Sequence, residues 1–223
     1  MEVRLNQGIL SFLLATGIVI GATAQDKARN IWADQYKQRS AADMAAQFEE
    51  PSRPVFRYRA AIASMLALKP GMAAAEIGAG SGFLARELAK LVGPDGRVIA
   101  TELDDKMVAY MNERARAEGL ANFRAVKGHT DASGLEPASV DAVVLVNAYS
   151  FMEAREPMLA SIAEAVRPGG LVVIVDIPEA GSGAERTGVE AEDVIAAAAR
   201  VGLTLVNESG IVPGHFAIRF RKK

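Results

Sequence analysis

Residues 73–82 read AAAEIGAGSG, an apolar segment that runs directly into a glycine-rich loop. Residues 83–92, which follow, have apolar side chains at helical spacing. A buried strand, a glycine-rich turn and a helix in this order are typical of the first unit of a parallel α/β sheet. In an open parallel sheet, ligands bind beyond the carboxyl ends of the strands. We therefore expect the glycine loop, residues 78–82, to border a ligand site.

Strands and helices alternate along the rest of the chain. Apolar runs predict strand 97–102, helix 104–118, strand 122–127, strand 140–146, helix 155–166, strand 171–177 and helix 189–201. The last two predicted strands, 203–206 and 216–220, are joined by about ten residues, too few for a crossover helix, which favours an antiparallel pair. This order predicts an α/β fold with a doubly wound, seven-stranded sheet, mostly parallel with an antiparallel C-terminal strand.

The composition is that of a globular domain and excludes several kinds of chemistry. The chain has 223 residues, 25 Lys and Arg against 27 Asp and Glu, and a net charge of −2. This length suits one α/β domain, and the charge does not favour a nucleic-acid partner, which normally needs a basic face. Because cysteine is absent, a disulfide framework, a thiolate metal site and a cysteine nucleophile are excluded. His129 and His215 are the only histidines, so no metal site is expected.

The first 24 residues have the pattern of a targeting segment. An uncharged run from residue 5 to residue 25 follows Arg4 and contains the small residues Ala22, Thr23 and Ala24. Cleavage after Ala24 by a signal peptidase would make the protein periplasmic or secreted. The run is also long enough for an uncleaved membrane anchor, and the basic residues after it would then favour a domain in the cytoplasm. A helix of the domain itself is the third interpretation. Membrane contact is expected only if residues 1–24 are retained.

The chain is predicted to divide into three segments. Residues 1–24 are the signal peptide or anchor, residues 25–54 an N-terminal helical extension, and residues 55–223 the α/β domain. One or two peripheral helices are expected within 27–49 and another over 55–68, because Pro51 and Pro54 interrupt the helical pattern between them. Gly181 and Gly183 predict a flexible loop.

Two carboxylates and the glycine spacing indicate the ligand. The loop reads G-x-G-x-G, and Phe83 stands where a dinucleotide fingerprint requires glycine. Glu76, two residues before the loop, would repel a pyrophosphate and suits a ligand that carries a cation. Glu102 closes the second predicted strand, and its oxygens can accept hydrogen bonds from the vicinal hydroxyls of a ribose. The pattern predicts a nucleoside that bears a cationic group and disfavours a dehydrogenase.

These residues, with several later motifs, resemble class I S-adenosylmethionine-dependent methyltransferases, especially the small-molecule and quinone-biosynthesis branch. The resemblance covers residues 55–220. Besides the loop and the two acids, it is carried by LKPGM at 68–72, GRV at 96–98, SVDAV at 139–143 and RPGG at 167–170. It implies a Rossmann-like fold, S-adenosyl-L-methionine as cofactor, and methyl transfer to a small-molecule acceptor.

The resemblance also implies roles for individual residues. The cofactor-binding residues would be Glu76, Gly78, Ala79, Gly80, Gly82, Glu102, Leu103, Thr130, Asp131 and Asn147. Glu76 and the glycine loop would hold the methionine part, Glu102 the ribose, and Leu103 one face of the adenine. The sequence departs from the usual Gly-Asp-Ala pattern at residues 128–130, where it has Gly-His-Thr, so the adenine edge is assigned to Asp131. Asn147 ends the fourth strand, where the backbone would face the cofactor.

Methyl transfer from a sulfonium requires in-line positioning of the acceptor and no obligatory acid or base. Tyr149 is the candidate catalytic residue, as an aromatic wall or a stabiliser of the cation, with packing in the core as the alternative. Arg53, Arg57 and Arg59 are interpreted as a clamp for an anionic substrate or as a solvated helix face. Two functions stay open: a methyltransferase, and a non-catalytic nucleoside-binding module that keeps the fold. The intact acids and glycines favour the enzyme.

Overall fold

The computed structural model describes residues 37–180 and 188–223. The predicted targeting segment, residues 1–24, and the predicted loop at residues 181–183 lie outside the described residues. Within the two described ranges, no helix is long and apolar enough to cross a membrane.

The described chain forms a seven-stranded sheet with the strand order β3-β2-β1-β4-β5-β7-β6. The strands are β1 (Ala73–Ile77), β2 (Arg97–Glu102), β3 (Phe123–Lys127), β4 (Val140–Val146), β5 (Val166–Asp176), β6 (Leu203–Ser209) and β7 (Phe216–Lys222). Strands β1 to β5 are parallel, β7 is antiparallel to β5, and β6 is antiparallel to β7. The predicted fold class, a mostly parallel, Rossmann-like α/β sheet, is therefore confirmed. Strand order reverses between β1 and β4, which is where such sheets bind ligands.

Seven α-helices are described within these ranges. They are α1 (Ala41–Phe48), α2 (Pro54–Arg57), α3 (Arg59–Met65), α4 (Phe83–Val92), α5 (Asp105–Ala117), α6 (Arg155–Ala165) and α7 (Ala191–Arg200), with a 3₁₀ turn at Tyr149–Phe151. The single helix predicted over 55–68 is wrong in one respect, because it is divided at Tyr58, whose ψ of 15° is not helical. Arg59 Nη1 donates to the Phe56 carbonyl at 2.9 Å and so occupies an oxygen that a continuous helix would use itself.

Strand β1 lies at the centre of the sheet and is buried along its whole length. One face of the sheet packs on a core layer that includes Leu84 and Leu88 of α4, and the other on a layer that includes Leu159 and Ile162 of α6. Small alanine side chains in β1 let these layers come close to the sheet. The strand therefore carries Glu76, its single charged residue, into the interior at 2% exposure.

Helix α1 lies against α4 and α5. Met44 and Ala45 pack on Met107 of α5 in a small apolar cluster. At the end of α1, Glu49 Oε1 lies 3.2 Å from Arg86 Nη2 and 2.9 Å from Arg114 Nη1. These contacts hold the end of α1 beside the glycine loop.

Candidate functional site

The carboxyl ends of the five parallel strands open into a cleft with a volume of about 760 Å³. Each strand, or the loop after it, supplies part of the lining of this strand-end cleft, as Ile77, Thr101, His129, Val146 and Ile177 show. Phe48, Arg53 and Val55 close one side. The volume is in the range of small-molecule sites. Within residues 37–180 and 188–223, no group of three or more His, Asp or Glu side chains is placed to hold a metal ion.

The glycine loop reaches the cleft through Gly78, Ala79 and Gly80. Gly78 has φ +72°, and a Cβ built there would lie 2.8 Å from the Cβ of Ala148. Gly80 has φ +56°, and its Cβ would lie 3.2 Å from the Phe48 ring. Glycine is required here because the backbone is left-handed and its neighbours leave no room. Gly82 is not in the lining, and its Cβ would meet Met111 Sδ at 2.7 Å inside the core.

Glu102 ties the end of β2 to the glycine loop. Its Oε2 accepts the Gly80 N–H at 2.8 Å, and its Oε1 accepts the N–H groups of Leu103 at 2.6 Å and Asp104 at 3.2 Å. Burial raises the pKa of the Glu102 carboxyl, and these hydrogen bonds oppose the rise. A carboxylate offers about four acceptor directions. The backbone therefore saturates Oε1, and Oε2 keeps one direction for a ligand hydroxyl.

Glu76 lies on the floor of the cleft at the end of β1. Its Oε2 accepts the Ala85 N–H, in the first turn of α4, at 2.8 Å. Burial is the main reason that the pKa of the Glu76 carboxyl is raised to about 8. At neutral pH this raised pKa favours the neutral acid.

The remaining predicted cofactor residues are divided between the cleft and its surroundings. Leu103, half exposed, and Thr130 line the cleft, whereas Asp131 is exposed and does not. Asn147 also lines it and has an unusual φ of +48° for a residue other than glycine. Its N–H donates to the Val175 carbonyl at 2.8 Å, while its buried Oδ1 has no hydrogen-bond partner among the described residues.

Tyr149 does not reach the cleft. It is 2% exposed in the core layer between the sheet and α6, with the Arg155 guanidinium 5.6 Å from the centre of its ring. Burial raises the pKa of its hydroxyl. The structure therefore supports the packing alternative for Tyr149. Its neighbours Phe151 and Met152 line the cleft instead.

Several lining residues were missed as site residues or considered only as part of a group, among them Asp176, Phe48 and Arg53. Asp176 ends β5 fully buried and accepts hydrogen bonds from Ser150 N, Ser150 Oγ and Ile177 N at 2.8–3.0 Å. The sequence signal was present, since Asp176 follows a buried strand as Glu102 does. The sequence around Phe48 and Arg53 does not indicate a ligand site, because these residues reach the glycine loop only through the packing of segments distant in the sequence. Of the three arginines considered as a clamp, Arg53 alone lines the cleft.

Comparison with known proteins agrees with this geometry. Residues 74–170 match a family model described as a methyltransferase domain. This part of the chain is therefore similar to a methyltransferase domain. The matched range begins in β1 and ends in β5, so it contains the glycine loop, both acids and Asn147.

Curated relatives match about half of the chain. A ubiquinone/menaquinone biosynthesis C-methyltransferase of Ectopseudomonas mendocina is 25% identical over 116 residues, which are 52% of this chain and 45% of the relative. A protein-L-isoaspartate O-methyltransferase of Methanopyrus kandleri is 31% identical over 115 residues, 52% of this chain and 49% of the relative. The chain thus spans about half the length of these relatives.

The fold is shared with solved methyltransferases. A crystal structure of a SAM-dependent methyltransferase from Aquifex aeolicus superimposes with a TM-score of 0.69 at 20% identity, covering 82% of this chain and 98% of the other. The predicted methyltransferase-type fold is confirmed by this similarity.

Proposed function

We propose that this protein transfers a methyl group from S-adenosyl-L-methionine to a small-molecule acceptor. The family match and the fold both indicate this cofactor. The observation that carries the proposal is the convergence of Glu76, the glycine loop and Glu102 on one side of the strand-end cleft. A methyltransferase match at residues 74–170 supports the same reaction class.

The described residues fit the cofactor. Glu76 is a buried carboxyl without an ion pair in the described part of the chain, and it suits the amino group of the methionine part. The cradle at Gly78 and Gly80, which a Cβ would fill, admits a ligand close to the backbone. Glu102 Oε2 can accept one ribose hydroxyl, and the exposed face of Leu103 can pack on the base.

The part of the cleft near β4 and β5 suits the methyl acceptor. Phe151, Met152 and Ile177 give it apolar walls. The cofactor supplies a methyl group already activated by a sulfonium. The chain then has to hold the acceptor in line and exclude water, and such positioning is worth about 7–11 kcal/mol.

Calorimetric titration with S-adenosylmethionine and S-adenosylhomocysteine tests the proposal. The wild type should bind both, and Glu102→Ala should weaken binding by about 1.5–3 kcal/mol, roughly 10- to 150-fold, because a charged hydrogen bond is lost. Glu113→Ala, which removes an exposed carboxylate from α5, is the matched control and should bind like the wild type. Thermal melts of each variant check that it is folded.

Three outcomes would count against the proposal or its site assignment. Binding of a nicotinamide cofactor, with no binding of either sulfur nucleoside, would end the methyltransferase interpretation. Unchanged affinity in folded Glu102→Ala would show that the ribose assignment is wrong. Binding without methyl transfer to any acceptor in cell extract would favour the nucleoside-binding module.

A further inference from the structure

Glu76 is an acid in an unusual position for a ligand site. It is 2% exposed, and within the described part of the chain its one hydrogen bond is from Ala85 N–H to Oε2. Glu76 nevertheless belongs to the lining of the strand-end cleft. Glu102, on the next strand, receives three backbone N–H groups. The carboxylate form of Glu76 is therefore stabilised by fewer hydrogen bonds than that of Glu102.

The surrounding residues do not supply a counter-ion to Glu76. Beside it in the sheet lie Ala100 of β2 and Val144 of β4, which are apolar. The charged groups that act on Glu76 are Arg86 of α4 and the carboxyl of Glu102. The Glu102 carboxyl raises the pKa of the Glu76 carboxyl and so opposes its ionisation.

The Arg86 guanidinium contacts Ser81, Glu49 and Glu118. Its Nη1 donates to the Ser81 carbonyl at 2.9 Å, and its Nη2 and Nε lie 3.2 Å and 3.1 Å from carboxylate oxygens of Glu49 and Glu118. Among the described residues Glu76 forms no ion pair, so ionisation would leave this buried carboxylate without a counter-ion. A cation brought by the ligand would complete this arrangement.

We propose that Glu76 exchanges its proton for the ammonium group of the ligand, so that binding in the cleft releases one proton. This inference rests on the proposed function. The balance is simple: the neutral acid loses H⁺ to solvent, and the resulting carboxylate pairs with the ammonium. The cleft thereby selects nucleosides with an amino-acid tail over those without one.

The coupling between ligand binding and release of the Glu76 proton makes the affinity depend on pH. The pKa of the Glu76 carboxyl is about 8, mainly through burial. Below this pH, the affinity of a ligand whose binding releases one proton increases about tenfold for each unit by which the pH rises. Affinity should therefore rise about tenfold from pH 6 to pH 7, where the ligand ammonium stays charged.

Titration calorimetry in two buffers with different ionisation enthalpies measures the released protons directly. S-adenosylhomocysteine should release about 0.9 proton per site at pH 7, the fraction of Glu76 that is protonated there. 5′-Methylthioadenosine, which has the nucleoside but no amino-acid tail, should release none. Glu76→Gln should bind S-adenosylhomocysteine more weakly and without the release. This variant also separates any protons released by the other buried carboxyls of the cleft, Glu102 and Asp176, whose pKa values are raised by burial.

The outcomes distinguish this inference from the function on which it rests. Binding of S-adenosylhomocysteine with no proton released, or with the same release in Glu76→Gln, would overturn the inference and leave the proposed function standing. Equal proton release by methylthioadenosine would also overturn it. Failure of the wild type to bind any sulfur nucleoside would overturn both.

Discussion

Replacing Glu76 by Gln should make the protein more stable, and the gain should grow with pH. The carboxyl has a pKa of about 8 in the folded chain against 4.5 as the ordinary value. Because the folded-state pKa is raised, the stability associated with this group is complete below pH 4.5 and is lost as the pH rises towards 8. Each pKa unit is worth about 1.4 kcal/mol, so the loss is about 2 kcal/mol at pH 6 and about 5 kcal/mol at pH 9. Gln stays neutral and can still accept the Ala85 N–H.

Urea unfolding of wild type and Glu76→Gln at pH 6 and pH 9 measures this difference. The advantage of the variant should increase by about 3 kcal/mol between the two conditions, or about 6–12 °C in melting temperature. Glu113→Gln, at an exposed position on α5, is the control and should show no such increase. A Glu76→Gln variant that is less stable than wild type at pH 9, or equally affected at both pH values, would refute the reasoning.

Two further predictions concern residues outside the cleft lining. Gly82→Ala should lower stability by about 1–3 kcal/mol, because it adds left-handed strain and a Cβ 2.7 Å from Met111 Sδ. Gly119→Ala, with a similar φ of +71° but open space, should cost less, and equal losses in urea unfolding would contradict the Met111 contact. Tyr149→Ala should cost about 3–5 kcal/mol as a buried aromatic, whereas Tyr149→Phe should cost under about 1.5 kcal/mol. A folded Tyr149→Phe variant that loses affinity for S-adenosylhomocysteine would instead place the hydroxyl in the site.

The sequence predicted the central strands well because their signals are local. Predicted and observed bounds agree for β1, β2, β4 and α4, where apolar runs meet glycine, proline or charged residues. Strand β6 was predicted to end at residue 206 but continues to Ser209, since its polar residues pair with β7 through the backbone. Such pairing depends on the partner strand and leaves no hydrophobic pattern.

The cleft was predictable where a residue directly follows a strand. Glu76, Glu102 and Asn147 lie at strand ends and reach the cleft. Residues in turns were harder to place, because the backbone there has no regular repeat that predicts the direction of each side chain. Thr130 therefore faces the cleft while Asp131 does not. The position of Phe48 depends on how α1 docks, which no local pattern encodes.

The contacts of Arg86 have a consequence for any shortened version of this protein. One guanidinium contacts both the carbonyl of Ser81 and the side chain of Glu49, and so it connects the glycine loop to the end of α1. A truncated chain beginning after residue 50 would leave Arg86 and Arg114 sharing Glu118 as their remaining carboxylate. The damage from such trimming would appear first at the glycine loop, although the cut removes none of its residues.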